Sequence, residues 1–358
     1  MRRPATGRLR LVAVLAGLGL ALVACGSNDT STGASGSTSS APAASSAAPK
    51  SDIKLGLAYD VGGRGDRSFN DSAAAGIDRA VAEFGVTKQE LSPNASGSDR
   101  GDNLRQLAEA DFNPIFAVGF AYAEDLTDVA KDFPDTTFFI IDDSTVKAPN
   151  VKSLVFAEEQ GSYLVGAAAA LKSKTGSVGF VGGVETPLLQ KFEAGFLAGA
   201  EKAKPGIKTQ VKYLSQPPDF SGFGSPDKGR ETANGMYDSG ADVVYAAAGG
   251  SGVGVFQAAK AKKQKAIGVD SDQYESISDE SLQPVILTSM LKRVDNAVYA
   301  AMQKVVAGEE IDAVTSFDLA SEGVGYATSG GFIDDIEPQL DELAEQIKSG
   351  AITVPTKP

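Results

Sequence analysis

The sequence predicts an α/β protein built on doubly wound parallel sheets, and three observations predict it. From residue 53 onward, short apolar runs of strand length alternate with stretches whose apolar residues recur at helical spacing. The runs are dense in Val, Ile, Phe and Ala, as in strands covered on both faces. Several polar, glycine-rich segments follow a strand and precede a helix, the place where open parallel sheets put their ligands.

The first such unit is residues 53–84, IKLGLAYDVGGRGDRSFNDSAAAGIDRAVAEF. Ile53 to Tyr59 reads as a buried strand, and Ile77, Ala80, Val81 and Phe84 recur at i, i+3, i+4 and i+7 as one face of a helix. Between them lies a polar turn with Asp60, Gly62, Gly63, Gly65, Asp66, Ser68 and Asn70. Phe69 is an aromatic among carboxylates and glycines; it either staples the helix start or faces a ligand.

Further strands are expected at 114–119, 137–142, 177–181, 242–247, 265–269 and 284–289. Helical stripes run through Leu126, Val129, Ala130 and Phe133, through Leu189, Phe192, Phe196 and Ala200, and through Val294, Ala297, Val298, Ala301, Met302 and Val305. After the strand at 114–119 come Glu124 and Asp125, suited to a helix N-terminus, where negative charge meets the macrodipole. The glycines around Gly250 do not complete GxGxxG, and Gly224 to Glu231 does not complete a P-loop. Glycine turns at these points still let the backbone approach a ligand closely. Asp270 ends the strand at 265–269, and Lys292 follows the run PVILTSML. Surface ion pairing is the common use of such residues. At strand ends facing a cleft, an ionised Asp accepts from two vicinal hydroxyls and a lysine donates to a third oxygen. Phe223 sits between glycines in the loop SGFGSPDKG.

The chain's start has a different character. Arg2, Arg3, Arg8 and Arg10 precede an apolar core, Leu11–Ala24, that ends in Leu22-Val23-Ala24-Cys25, a lipobox. So short an apolar stretch with a cleavage pattern reads as a signal peptide over 1–24, not a spanning helix. Cys25 is the only cysteine, so no disulfide framework or Cys-rich metal site exists. Diacylation of its sulfur, with or without a further acyl chain, would anchor the mature protein to the extracytoplasmic face of the cell membrane. Residues 26–51 are Gly, Ser, Thr, Ala and Pro with almost no large apolar side chains, a composition that reads as a disordered tether.

Charge and residue usage exclude several classes of function. Removing the signal peptide takes away four arginines and no carboxylate, moving the formal charge from −13 to −17. A body this acidic does not hold nucleic acid or anionic lipid through its net charge. The sequence has no histidine, which excludes Ser-His-Asp and Cys-His catalysis and removes the commonest metal ligand. No metal or cofactor is expected.

DVGGRGDRSFND at 60–71, GSYLVGAAAA at 161–170, VGFVGGVETPLLQKFEAGFLAGA at 178–200 and GVDSDQ at 268–273 together resemble the basic membrane protein (Bmp) family. These are lipoproteins that bind purine nucleosides for ABC importers, and the resemblance runs from about residue 53 to the C-terminus. It implies a type I periplasmic-binding-protein fold, two parallel-sheet lobes joined by a hinge. Residues 52–157 would form lobe 1, completed by about 290–316, and residues 158–289 lobe 2, completed by about 317–358. Hinge crossings are then expected near 156–159, 287–290 and 316–319.

The resemblance also implies roles. Phe69 and Phe223 would sandwich the purine, Asp60 and Asn70 would join the ligand contacts, and Gly250, Asp270 and Lys292 would hold the ribose. The family's base-contacting aspartate falls in the frame of Glu124, with Asp125 immediately after, so either side chain is open for that role. The implied ligands are purine nucleosides such as inosine, guanosine and adenosine. The implied partners are an ABC permease with its ATPase, and the protein is expected to be a monomer without catalytic residues. A binding protein for a sugar or other small polar ligand, a nucleoside-cleaving enzyme using carboxylates alone, and a ligand-sensing lipoprotein are the competing readings.

Overall fold

The computed structural model describes residues 51–358; the expected signal peptide, Cys25 and all but the last residue of the expected tether lie outside the described residues. The first run of elements is β1 (Lys54–Ala58), α1 (Phe69–Phe84), β2 (Thr87–Leu91), α2 (Arg100–Glu109), β3 (Ile115–Ala117), α3 (Ala123–Asp132), β4 (Phe138–Ile141) and β5 (Val151–Phe156). The chain continues through α4 (Glu158–Lys172), β6 (Ser177–Val184), α5 (Pro187–Ala203), β7 (Lys208–Ser215), α6 (Pro226–Asp238) and β8 (Val243–Ala247). Then come α7 (Gly252–Lys262), β9 (Lys265–Asp270), α8 (Gln273–Ser276) and β10 (Ile286–Lys292). The last elements are α9 (Val294–Ala307), β11 (Val314–Phe317), β12 (Val324–Tyr326) and α10 (Glu337–Lys348).

Two six-stranded sheets result, in the orders β11-β5-β4-β3-β1-β2 and β12-β10-β9-β8-β6-β7. All pairings are parallel except β10 with β12. The orders are the same pattern written twice, so each strand of one lobe has a counterpart in the other, β4 with β9 among them. This is the two-lobed parallel-sheet architecture expected from the sequence.

The strands form where apolar residues can be buried on both sides: β4 and β8 are buried at every position. Helix α1 begins where the Asp66 carboxylate accepts from the backbone N–H groups of Ser68, Asn70 and Asp71, satisfying donors that the helix itself leaves open. It ends at Gly85 in the left-handed conformation. In lobe 2, α4 and α5 pack backbone to backbone: a Cβ on Gly166, Gly195 or Gly199 would run into a carbonyl of the facing helix. The small residues of GSYLVGAAAA and AGFLAGA are the physical condition for that contact.

The chain crosses between lobes three times. Ala157 joins β5 to α4, Arg293 joins β10 to α9, and residues 318–323 join β11 to β12. The second crossing lies beyond the 287–290 expected from sequence, because β10 stays in its sheet through Lys292, paired with β9 and β12. Backbone hydrogen bonds tie the crossings together, with Ala157 donating to Phe317 and Arg293 to Gly323, both at 2.9 Å. Helix α9 returns to lobe 1 and packs on α1, where Gly76 lies against the Asp295 carbonyl.

Candidate functional site

The carboxyl ends of both sheets face one cleft, which holds about 580 Å³ of space between atoms, its mouth included. Lobe 1 contributes Asp60 and Val61 after β1, Phe69 and Asn70 at the start of α1, Gly119 and Phe120 after β3, and Asp142 after β4. Lobe 2 contributes Leu188, Leu189 and Phe192 from α5, Phe223 and Gly249 from loops, Ala247 from the end of β8, Asp270 from β9 and Lys292 from β10. The walls are mostly rings and aliphatic side chains, with a few buried charges among them.

At the hinge the charges form a chain. Lys292 is buried, and its Nζ donates to Asp142 Oδ2 at 2.6 Å and lies 3.1 Å from Glu158 Oε1. Lys191 Nζ, partly exposed, donates to Glu158 Oε2 at 2.9 Å. Burial works to lower the Lys292 pKa, but Asp142, Glu158 and Asp270 outweigh it and the ammonium is held well above its ordinary range. Burial raises Asp142, with Glu158 and Asp270 adding to the effect and Lys292 opposing it. Asp270 is pushed up to about 6, mainly by burial, against the attraction of Lys292 and a hydrogen bond from Ser68. Phe69, Phe156 and Phe192 surround the ammonium, their ring centroids 5.0–5.5 Å from Nζ.

Asp142 and Asp270 stand at the ends of counterpart strands, and both adopt the left-handed backbone, with φ of 69° and 65°. That conformation is uncommon for a non-glycine residue and tolerated best by Asp and Asn. It turns each chain sharply at the sheet edge, so that the Asp142 carboxylate pairs with Lys292 and the Asp270 carboxylate lies close enough to feel its charge.

The lobes are closed on one another. Ser68 Oγ donates to Asp270 Oδ2 at 2.6 Å, Ser271 Oγ to the Ser68 carbonyl at 3.1 Å, and Gln273 Nε2 to the Arg67 carbonyl at 2.9 Å. An ionised carboxylate has about four acceptor sites, so Asp270 keeps capacity for a ligand after accepting from Ser68. Asp60 Oδ1 accepts from Arg100 and from the Val61 N–H, at 2.8 and 2.7 Å. Its Oδ2 lies against Gly119, where an added Cβ would come within 2.7 Å of it. The Asn70 amide accepts from the Asp60 N–H and donates to Asp66, which leaves one of its N–H bonds for a ligand.

Of the residues singled out from sequence, Asp60, Phe69, Asn70, Phe223, Asp270 and Lys292 line this cleft. Gly250 sits at its edge, against the Phe223 carbonyl and Asp66, while its neighbour Gly249 is the glycine that lines it. Glu124 is not in the cleft. It lines an outer groove with Asp102, Arg105, Asp125 and Asp128, because the turn before α3 presents Phe120 inward instead. Tyr122 fixes that turn by donating to the Tyr59 carbonyl at 2.6 Å. The sequence reading missed Phe120, Asp142, Leu188 and the cleft-facing role of Leu189 and Phe192. Asp142 carried the same mark as Asp270, a carboxylate ending an apolar run.

Among the described residues there is no metal-binding cluster, and no helix is long and apolar enough to cross a membrane. Residues 53–357 match the family described as "ABC transporter substrate-binding protein PnrA-like", named Bmp. The chain is 35% identical to a "CD4+ T-cell-stimulating antigen" of Listeria innocua, covering 91% of this chain and 94% of that one. It is 33% identical to the "ABC transporter nucleoside-binding protein BmpA" of Lactococcus lactis, covering 98% and 97%. Its fold is similar to a crystal structure of an ABC transporter solute-binding protein from Aeropyrum pernix, with TM-score 0.74, 29% identity, and coverage of 85% and 93%.

Proposed function

This chain belongs to the Bmp family of PnrA-like ABC transporter substrate-binding proteins, and from that membership we propose that it captures purine nucleosides in its interlobe cleft. The family is one of binding proteins, not enzymes. The observation that carries the reading is a cleft lined by Phe69 from lobe 1 and Phe223 from lobe 2 together with the buried Asp270 and Lys292. Flat apolar rings suit a purine, and base–aromatic stacking is worth about 1–3 kcal/mol per base. A buried carboxylate and ammonium suit ribose hydroxyls, at roughly 1.5–3 kcal/mol per bond to a charged group. A cleft for a bare sugar would need more polar groups on its walls than these rings supply. Closure of the lobes would make both sets of contacts together.

The ligand would pass to a membrane permease and its ATPase. Cys25, the lipobox cysteine, would carry the lipid that keeps the protein at the extracytoplasmic face. The mass of the mature N-terminal peptide tests that anchor directly.

The nucleoside reading is tested by calorimetry on two proteins and two ligands. Inosine should bind far more tightly than hypoxanthine, which leaves Asp270 and Lys292 without ligand partners. Asp270→Ala should cost inosine affinity about 1.5–3 kcal/mol, tenfold or more, and barely alter hypoxanthine binding. The cycle isolates the ribose contact. Equal losses for both ligands would remove the ribose assignment.

A further inference from the structure

We propose that Phe220 is the latch that holds the cleft shut, acting on lobe 1 through Arg100 and Phe120. Phe220 lies outside the residues that line the cleft, in the lobe 2 turn that leads into Phe223. The turn is a 3₁₀ helix over Ser221–Phe223 with Phe220 as its N-cap, and residues three apart in such a turn point the same way. Phe223 and Phe220 are three apart. One turn of lobe 2 therefore aims two rings at lobe 1, one into the cleft and one beside it.

What Phe220 meets there is specific. Its ring packs edge-on against Phe120, with centroids 6.0 Å apart and planes at 62°. The Arg100 guanidinium carbon sits 5.4 Å from the Phe220 centroid and 5.7 Å from that of Tyr122, so the cation lies near one ring from each lobe. Arg100 is 5% exposed and donates to Asp60 Oδ1 at 2.8 Å. Phe120 and Asp60 both line the cleft. Each residue that Phe220 touches is thus in the cleft wall or bonded to it.

The energetics follow from that placement. When the lobes part, Phe220 leaves with its turn, and one face of the guanidinium gains water. Closure removes that water, which strengthens both the cation–ring attraction and the Arg100–Asp60 pair as the local dielectric falls. A ligand on Asp60 and a closed latch then favour each other, so Phe220 acts as a positioning residue that slows ligand escape. Gly97 serves the same arrangement, since a Cβ there would collide with the guanidinium.

The test uses the full-length protein with a spectroscopic label on each lobe, and inosine as probe, a choice that rests on the nucleoside reading. Interlobe distance is read with and without inosine, and stopped-flow mixing gives association and dissociation rates. Phe220→Ala should raise inosine dissociation about tenfold, leave association within about twofold, and reduce the closed fraction. Phe220→Tyr should restore both readouts. Arg100→Lys, which keeps the charge but loses the planar face, should act in the same direction as Phe220→Ala. If the parent does not bind inosine, the nucleoside reading fails, and the ligand-free closed fraction alone decides the latch. A Phe220→Ala protein with the parent's closed fraction, or with unchanged dissociation where inosine binds, overturns the proposal.

Discussion

The interlobe cleft and the outer groove between α2 and α3 each enclose about 550–580 Å³ of empty space when their open mouths are counted, and both are lined by several carboxylates. They differ in what surrounds the charge. In the cleft, Asp142, Asp270 and Glu158 are buried and face Lys292, with rings packed around the ammonium. In the groove, Arg105 is substantially exposed, and so is its partner Asp132. Charge in contact with water is already solvated, and a ligand gains little by replacing that water. Charge held in a dry, apolar wall keeps most of its strength for a ligand. Size and acidity therefore do not separate a binding site from a surface depression; burial with incomplete pairing does.

The largest expected effect tests this contrast through stability. Lys292→Met would leave Asp142, Glu158 and Asp270 buried with only Lys191 nearby. Breaking a buried ion pair by removing one partner costs about 3–5 kcal/mol. Removal of an exposed cation such as Arg105, as Arg105→Met, should change stability by less than about 0.5 kcal/mol. Urea unfolding at neutral pH measures both. Adding Asp142→Asn to Lys292→Met should recover part of the loss, because it removes one of the stranded charges. Equal stability of the two single variants would mean that water reaches the hinge and that the contrast between the two regions is false.

This difference in environment also separates what the sequence made legible from what it hid. Strands buried on both faces, such as Phe138–Ile141 and Val243–Ala247, announce themselves as apolar runs. The edge strands β2 and β7 pair on one side only and carry Lys, Thr and Gln at exposed or half-exposed positions, so TKQEL and KTQVKYLS do not stand out. Asp270 and Lys292 could be picked out because they end strands. Asp142 has the same local pattern, but its importance comes from Lys292, far away in sequence, and no local reading joins them. Glu124 misled because chain position fixes which loop a residue joins, not which way that loop turns.

A middle-sized effect should appear with pH, and its two signs distinguish the cleft from ordinary surface. Asp270 has a folded-state pKa of about 6, against about 3.9 for an unperturbed aspartate. Between those values the folded protein binds a proton that the unfolded chain does not, so this group makes the ligand-free fold more stable as pH falls from about 6 to 4. On the proposed ribose contact, inosine binding uses the ionised carboxylate and should weaken over the same range, by up to about tenfold per pH unit. Calorimetry and thermal melts at stepped pH follow the two trends. Asp270→Asn should bind weakly and lose most of the pH dependence of affinity. Parallel trends in affinity and stability would mean that another group governs binding.

The smallest expected effect is at Glu124, which stands in the groove, exposed, in the first turn of α3. A carboxylate there interacts with the helix macrodipole, typically by about 0.3–1 kcal/mol. Asp125 in the same turn retains much of that benefit after Glu124→Ala. The variant should therefore lose about 0.5 kcal/mol of stability or less and change inosine affinity by less than twofold. The turn before α3 is held by Tyr122 on the Tyr59 carbonyl, and Phe120 already occupies the inward position. For Glu124 to reach a purine, that turn would have to rotate and withdraw Phe120 from the cleft wall. Paired titrations of parent and variant decide the matter. A tenfold loss of inosine affinity with unchanged stability would mean that the turn does rotate on ligand capture, and that the groove and the cleft exchange residues.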